Sequence, residues 1–247
     1  MVQKFGMKKR NVINFNNAIE QIGKNAYQRG DYETAFQKWM PLAKRGNAEA
    51  QHCIGHLYHY WHDIGKYTGT SSPLYNSGKS VTEHFKESFK WTKRAAEQGH
   101  STAECILGDY YDVPYCDGIY RDIKKAVRWY RRSAKQGNAE GQQSLGRLYL
   151  WGEGVTNNYK KAVEWFRRAA EQGDDEAQND LGELYEKGQG VQQDNIMAFM
   201  WFDIAAKAGD FHAIKGCRRL KKILTPSQLA QARKLSKQCV KNNYKGC

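Results

Sequence analysis

Three histidines, His52, His56 and His59, are spaced so that their side chains could share one chemical task. Spacings of four and three place them on one face of a helix, and imidazoles four residues apart can bind the same metal ion. Asp109 would add an oxygen ligand. A structural zinc site normally needs four well-placed ligands, however, and no second helix offers such a set. We therefore predict no metal and no cofactor, and interpret these histidines as exposed, pH-responsive groups.

Catalytic signatures are missing from the sequence. The chain contains no GxxxxGK[ST], HExxH, GxSxG or GxGxxG pattern. These spacings serve phosphate binding, zinc hydrolysis, serine nucleophiles and dinucleotide binding respectively. The sequence therefore predicts a protein that is not an enzyme and has no catalytic residues.

A repeated unit must position whatever residues carry the function. Residues 137–173, GNAEGQQSLGRLYLWGEGVTNNYKKAVEWFRRAAEQG, are followed by a near copy, GDDEAQNDLGELYEKGQGVQQDNIMAFMWFDIAAKAG, that ends at Gly209. A fixed period of this size indicates a helical solenoid. One unit cannot bury its apolar face alone, so stacking of the units is obligatory.

Certain residue types recur at fixed distances from the glycine that ends each unit. A glycine inside a helix costs about 1 kcal/mol relative to alanine, so its recurrence predicts close approach of the partner helix. The recurring Tyr and Trp rings are expected to fill the space between hairpins. The glycines of GEGV (152–155) and GQGV (188–191) are expected in turns at positive φ. The predicted structural residues are Gly55, Gly108, Gly146 and Gly182; Tyr58, Tyr111, Tyr149 and Tyr185; and Trp91, Trp129, Trp165 and Trp201.

The stretch LGRLYLWGEGV…KKAVEWFRRAAEQG resembles the Sel-1-like repeat, a shorter relative of the tetratricopeptide repeat. The resemblance covers roughly residues 17–240. It implies an all-α, right-handed superhelical solenoid of antiparallel helix-turn-helix repeats that serves as an adaptor or scaffold for proteins, often in bacteria. Some cysteine-rich relatives are linked to β-lactam binding or hydrolysis, but no serine here has lysine three residues on. A β-lactam- or cell-wall-acting enzyme is therefore the weakest alternative.

The repeat frame predicts the organisation of the chain. Residues 63–81 are surplus to the first full unit, so we expect an insertion loop there. Arg218 and Lys221 replace Gly and Tyr in the last unit, as a terminal cap requires. Thr225-Pro226-Ser227-Gln228 predicts a capping box at the start of the final helix. The expected segments are a basic, poorly ordered 1–16, a half-unit 17–46, units 47–99, 100–137, 138–173 and 174–209, a capping unit 210–240 and a tail 241–247.

The first helix of each unit is expected to supply the binding surface. Offsets 6, 10 and 13 from the unit glycine lie about 150° from the apolar face and should point to solvent. Tetratricopeptide-like arrays line their concave groove with first helices. We therefore predict a protein-binding groove whose floor is His52, His56, His59, Cys105, Asp109, Asp112, Gln143, Arg147, Leu150, Asn179, Glu183, Glu186, Lys215, Arg219 and Lys222.

The net charge of +13 bears on the partner. The second helices hold most cations, for example Arg131, Arg132, Arg167 and Arg168. Lysine-rich helices are usually solvated surface, so we expect a monomer that binds a protein or peptide, with an acidic ligand left open. A basic scaffold for nucleic acid or an anionic cell-envelope surface is the alternative, although no nucleic-acid motif accompanies the charge.

Cysteines and chain ends give conflicting indications of the compartment. No apolar run is long enough to span a bilayer, and no signal peptide is recognisable, which favours the cytoplasm. Cys239 and Cys247 bracket the tail and form a candidate disulfide, while Cys116 falls in a loop. These positions favour export to the periplasm or beyond. Both localisations stay open.

Overall fold

The computed structural model describes residues 17–68, 80–113 and 120–247, with side chains left out at 61–68. The described residues are helical and contain no strand. The first helix, α1, covers 17–28. The others are α2 (Tyr32–Lys44), α3 (Ala48–Thr68), α4 (Val81–Glu97), α5 (Ser101–Asp112), α6 (Ile123–Lys135), α7 (Ala139–Trp151), α8 (Tyr159–Ala170), α9 (Asp175–Lys187), α10 (Asn195–Ala208), α11 (Phe211–Leu220) and α12 (Pro226–Lys241).

The described helices form two compact units: unit 1 contains α1 to α5, and unit 2 contains α6 to α12. In unit 1, α3 packs against α2 and α4, and α4 also packs against α5. In unit 2 the sequence of neighbours continues from α6 to α11, and α12 covers α10. Within each unit, hairpins of consecutive helices are therefore stacked, which confirms the predicted all-α solenoid architecture.

A glycine followed by a capping residue separates one hairpin from the next. Gly137 and Gly173 have φ of +90° and +91°, a left-handed conformation that glycine adopts without strain. The next residue then caps the new helix: the Asn138 side chain accepts a hydrogen bond from the Gly141 N–H, and Asp174 accepts one from Ala177. The same arrangement begins α3, α5 and α11. Their caps are Asn47, His100 and Asp210.

The recurring helix glycines face a neighbouring helix at close range. A Cβ at Gly146 would lie 2.6 Å from the Phe166 ring, and one at Gly182 would lie 2.6 Å from the Phe202 ring. At Gly55 the neighbour is α4, with the Thr92 backbone nitrogen 3.1 Å from the Cβ position. The glycine therefore makes room for a ring in unit 2 and for the helix itself in unit 1.

The recurring tryptophans differ in burial. Trp91 and Trp201 are buried, whereas Trp129 and Trp165 are half-buried. We expected all four rings to fill the space between hairpins. Instead, the rings of Trp129 and Trp165 lie partly at the surface under guanidinium groups of Arg132 and Arg168, each 4.7 Å from the ring centroid.

The tyrosines also combine packing with exposure. Tyr58 is buried in the core cluster of unit 1. Tyr149 and Tyr185 pack partly buried against a core cluster of unit 2. The Tyr185 hydroxyl accepts a hydrogen bond from Arg167, so the apolar body is packed and the polar end is solvated.

The predicted insertion at 63–81 was placed too widely. Helix α3 continues to Thr68, and Ser80 is the N-cap of α4, its side chain accepting a hydrogen bond from the Glu83 N–H. Residues 69–79 of the predicted insertion lie outside the described residues. The predicted basic segment 1–16 and Cys116 also lie outside them.

The C-terminal end is fastened to unit 2. Thr225 and Gln228 form the predicted capping box at the start of α12, which confirms that sequence signal. Cys239 and Cys247 form a disulfide. The tail between them places Tyr244 over Gly173, where a Cβ would lie 3.3 Å from the ring. Cys53, Cys105 and Cys217 are free thiols.

Candidate functional site

The three histidines of α3 lie between helices rather than in open solvent. His56 contacts the Tyr27 hydroxyl of α1 at 3.3 Å, and His59 contacts the Tyr110 hydroxyl of α5 at 3.2 Å. The His52 ring stacks on His100. All three are half-buried. Our expectation of exposed side chains was wrong, because first helices pack side by side and a helix at the middle of a stack has neighbours on both flanks.

Burial also keeps the imidazoles of His52 and His56 neutral. It lowers the pKa of His52 to about 4, and the neighbouring His100 and His56 act in the same direction. Burial lowers the pKa of His56 as well, with a further contribution from His59. Because both values move down from the ordinary range, neither of these two side chains gains charge near neutral pH. They present ring nitrogens as hydrogen-bonding groups instead.

A chain of ionic contacts borders the histidines. Glu49 bonds the His100 Nε2 at 2.8 Å, and its other oxygen lies 2.8 Å from the Lys24 ammonium group. Lys24 also pairs with Glu20 at 3.2 Å. The hydrogen bond from His100 is the main cause that lowers the pKa of Glu49 to about 2. This edge of unit 1 is thus a fixed network in which acidic and basic groups balance.

Two pockets open beside this network and share His56. A pocket of about 260 Å³ is lined by rings of Tyr27 and Trp39, with Lys24 and Gln28 among its polar groups. A smaller one of about 140 Å³ is more polar. Its lining consists of Gly55, His56, His59, Tyr60, Ser88, Thr92, Ile106, Asp109 and Tyr110. Most of their lining residues lie on the first helices α1, α3 and α5, which form the predicted face of unit 1. The second helices contribute Trp39 to the larger pocket, and Ser88 and Thr92 to the smaller one.

The buried Ser88 hydroxyl in the smaller pocket forms structural hydrogen bonds to two other helices. The Ser88 hydroxyl donates to the Gly55 carbonyl at 2.7 Å and accepts from the Tyr110 hydroxyl at 2.7 Å. A nucleophilic serine needs its proton directed to a base. Here the proton is directed to a carbonyl oxygen, so this serine ties α3, α4 and α5 together.

Three of the predicted groove residues are buried. Cys105, Gln143 and Asn179 occupy the same repeat offset and are at most 7 % exposed. Gln143 donates to Glu176 of the next first helix at 3.2 Å. The physical reason is again lateral packing, because offset 6 lies on the flank where consecutive first helices meet. These residues cannot form the floor of a groove.

The charged residues of the predicted groove in unit 2 bind one another. Arg147 bridges to Glu176 at 3.0 Å and to Asp180 at 3.1 Å. The Arg219 guanidinium donates two hydrogen bonds to Glu186, one of them 2.6 Å long. Burial raises the pKa of Asp180 to about 6, and Arg147 acts against that rise. The charged side chains of the predicted groove in unit 2 are therefore largely paired within the stack.

The remaining predicted residues retain solvent access. Asp109 and Asp112 are half-buried, and Asp112 lies 3.2 Å from Arg121. Leu150 packs partly buried against a core cluster of unit 2. Glu183 pairs with Lys187 within α9 at 2.7 Å. Lys215 and Lys222 are exposed.

Four residues that complete the site of unit 1 were not predicted from the sequence. His100, Glu49, Tyr60 and Tyr110 were not singled out, although His100 carried a signal. His100 occupies the position directly after a unit glycine, where the other units have Asn or Asp. The sequence therefore indicated an unusual N-cap at this position. Across the ranges that the structure describes, no group of three or more His, Cys, Asp or Glu side chains is arranged to hold a metal ion.

Stacked helix hairpins with a glycine-and-cap junction define a tandem-repeat solenoid protein. The Sel1 repeat family model matches residues 74–100, 101–138, 139–174 and 175–210, more than half of the chain. The chain belongs to the Sel1 repeat family. Proteins of this family are generally scaffolds for protein interactions, and their fold is typically not catalytic.

Solved structures include several similar proteins, all from bacteria. A Sel1 repeat protein from Oxalobacter formigenes is 31% identical, with 90% of this chain and 85% of that chain covered and a TM-score of 0.66. A protective antigen of uropathogenic Escherichia coli with an SLR fold is 23% identical, covering 93% and 70%, at a TM-score of 0.49. Cysteine rich protein B of Helicobacter pylori is 20% identical, covering 56% and 98%, at 0.43. No curated protein matches the chain. Among the described helices, none is both long and apolar enough to cross a membrane.

Proposed function

We propose that this protein is a non-enzymatic scaffold that binds a peptide or protein segment on the first helices of unit 1. The observation that carries the proposal is the pair of pockets that share His56. Elsewhere on the predicted groove most side chains are buried or held in internal ion pairs, and Lys215 and Lys222 are exposed without a surrounding pocket among those described. Pockets with apolar walls and a few polar groups are the usual sites for side chains of a bound segment.

The lining of the pockets suggests the chemistry of the segment. The larger pocket presents the rings of Tyr27 and Trp39, which favour a bulky apolar or aromatic side chain. The smaller pocket presents imidazoles and the Asp109 carboxylate, which favour a side chain with hydrogen-bond donors. The rings are fixed by hydrogen bonds such as that from Trp39 Nε1 to the Glu20 carbonyl, so little ordering is needed on binding.

A selection experiment tests the proposal on the full chain. Peptides selected from a random library would be measured for affinity against the parent protein, Tyr60→Ala and Tyr120→Ala. Tyr60 lines the smaller pocket and is 45% exposed, whereas Tyr120 is 83% exposed and lines neither pocket. Both changes remove an exposed ring from unit 1, so they are matched.

We expect Tyr60→Ala to weaken the selected peptides at least tenfold, which corresponds to about 1.4 kcal/mol. Tyr120→Ala should leave the affinity within about twofold. Equal affinities of all three proteins would contradict the proposal. Displacement of the selected peptides by a peptide that binds only to unit 2 would contradict it as well.

The charged first-helix face of unit 2 belongs to the same proposal as a secondary contact. Lys215, Lys222 and Glu183 are accessible there to a separate segment of the partner. Arg147, Glu186 and Arg219 would have to exchange their existing partners, which limits the gain in affinity. Reversal of Glu183 should therefore have a smaller effect than Tyr60→Ala.

We also propose that the protein is not an enzyme, and this proposal has a separate test. Its support is the lack of Ser-x-x-Lys in the sequence and the commitment of the Ser88 hydroxyl to the Gly55 carbonyl. Purified protein should not increase the rate of β-lactam hydrolysis above that of buffer. Turnover that disappears in Ser88→Ala would assign an enzyme instead.

A further inference from the structure

The positive charge of unit 2 is concentrated on its second helices. Residues 123–247 hold 23 Lys and Arg against 13 Asp and Glu. Only two of those acidic residues, Glu164 and Asp203, lie within α6, α8, α10 or α12. On α6 the cations have no acidic residue among them. They are Lys124, Lys125, Arg128, Arg131, Arg132 and Lys135, and all are exposed.

Four of these cations form a continuous stripe. Lys124, Arg128, Arg131 and Lys135 follow one another at spacings of four, three and four residues, which places them on one face of α6 over about 16 Å. None of the four has an ion-pair partner among the residues that the structure describes. Their charge is therefore available to a ligand, in contrast to that of Arg147 and Arg219.

The stripe is extended by another second helix. Helix α8 packs on the same first helix, α7, as α6 does, and adds Lys160, Lys161, Arg167 and Arg168, all exposed. We call the cations of α6 and α8 the basic face. We propose that the basic face docks on an anionic phospholipid surface.

The side chains of the basic face argue against a protein partner. Protein interfaces are depleted in lysine and need buried aromatic or apolar anchors at their centre. On α6 and α8 the one exposed large apolar residue is Tyr159, at the first position of α8. A broad set of long, flexible cations without an anchor suits a planar field of negative charge, where shape complementarity is not required.

The tryptophans of the basic face argue against single-stranded nucleic acid. Such ligands stack their bases on open aromatic rings. The rings of Trp129 and Trp165 are covered by Arg132 and Arg168 at 4.7 Å. The face offers cations for phosphate groups but no open stacking platform, which a lipid surface does not need.

Vesicle flotation with the full chain tests the inference. The vesicles would contain phosphatidylcholine alone, or phosphatidylcholine with about one third phosphatidylglycerol, because each surface cation adds about fivefold to partition onto an anionic bilayer. The test variant replaces Lys124, Arg128, Arg131 and Lys135 with Gln. The control variant replaces Arg29, Lys38, Lys44 and Lys221 with Gln. These four are exposed, lie outside the basic face, and remove the same charge.

We expect binding to the anionic vesicles only, with loss of binding as salt is raised. The test variant should bind at least tenfold more weakly, and the control variant should stay within about threefold of the parent. Circular dichroism of both variants would establish that the helices are retained. If both variants lose the same amount of vesicle binding, net charge alone accounts for the binding, and the inference is overturned.

Two further outcomes would also overturn it. Equal binding to the neutral vesicles would show that the basic face is not responsible. Preferential binding of duplex DNA over anionic vesicles at equal phosphate concentration would assign a nucleic-acid surface. The Tyr60→Ala variant should bind vesicles as the parent does, so failure here is distinguishable from failure of the proposed peptide site.

Discussion

The imidazole rings of His52 and His100 stack with their centroids 4.6 Å apart, and the second ring also begins a helix. The His100 Nδ1 accepts the Ala103 N–H at 3.2 Å, so this nitrogen is unprotonated. The proton then lies on Nε2, which donates to Glu49. One ring thereby fixes the start of α5, the position of Glu49 and the packing of His52.

The stability of unit 1 should fall as the pH is lowered from about 6.5 to 4. The folded-state pKa of His52 is lowered to about 4 from 6.5, so between these values the unfolded chain binds more protons. His56, Glu49, Lys24 and His100 are the charged or titratable groups around it. The full effect is roughly 3 kcal/mol as an upper limit. Urea unfolding at a series of pH values measures it.

The histidine assignment is checked by paired substitutions. His52→Gln should flatten the pH dependence in that interval, while His212→Gln, at an exposed site, should leave it unchanged. Glu49 acts in a separate interval, since its pKa is lowered to about 2 and its contribution is lost only as the pH falls below its ordinary value of 4.5. An unchanged slope in His52→Gln would contradict the assignment.

Adding a methyl group at Gly146 should destabilise unit 2. The Cβ would lie 2.6 Å from the Phe166 ring, and such overpacking costs about 1–3 kcal/mol. The better helix propensity of alanine recovers up to about 1 kcal/mol, so Gly146→Ala should still lose stability. In a double-mutant cycle, Phe166→Leu should reduce the cost of Gly146→Ala. If the losses of stability in Gly146→Ala and Phe166→Leu are additive, the Phe166 ring is not the reason that position 146 requires glycine.

Loss of Arg147 should cost more at pH 8 than at pH 4.5. Burial raises the pKa of Asp180 to about 6 against an ordinary 3.8, so the carboxyl is mostly neutral at the lower pH and needs a cation only at the higher one. We expect Arg147→Ala to cost about 1–3 kcal/mol at pH 8 and clearly less at pH 4.5. Chemical denaturation at both pH values measures this difference.

The exposed pair of Lys187 and Glu183 supplies the control. Lys187→Ala removes a surface ion pair worth at most about 1 kcal/mol, with little difference between the two pH values. If Arg147→Ala behaves in the same way, Asp180 is not the group that Arg147 stabilises.

Opening the Cys239–Cys247 disulfide should loosen the C-terminal tail without unfolding the repeats. Closing a loop of this length is worth about 2–3 kcal/mol in the chain-entropy account. Cys247→Ser should speed tryptic cleavage at Lys241 and Lys245, because Tyr244 would no longer be held over Gly173. Reductant should reproduce the effect in the parent and add nothing in the variant. Equal cleavage of oxidised parent and variant would show that Tyr244 stays in place without the bridge.

The repeat frame could be predicted because its signals are local. The positive φ of Gly152 and Gly188 and the capping box at Thr225 depend on residues within one turn of each other, and each was confirmed. The fold class follows from the period for the same reason.

The site could be predicted only in part, because burial in a stack depends on neighbours far along the chain. Helical periodicity placed His52, Gln143 and Asn179 opposite the apolar face of their own helix. It carries no information on the adjacent first helix, where Glu176 and His100 lie. The face was therefore identified, while the burial and partners of its residues were not.

The phenylalanine at position 202 is held between two hairpins in unit 2. Cβ atoms at Gly182 and Gly216 would lie 2.6 Å and 2.7 Å from its ring. One side chain therefore sets both the geometry inside a hairpin and the spacing to the next. A gene duplication that copies whole hairpins preserves the contact of the Phe202 ring with a glycine of its own hairpin. A duplication that begins or ends within a hairpin separates the ring from that glycine. The array can consequently grow or shorten over evolution in complete modules.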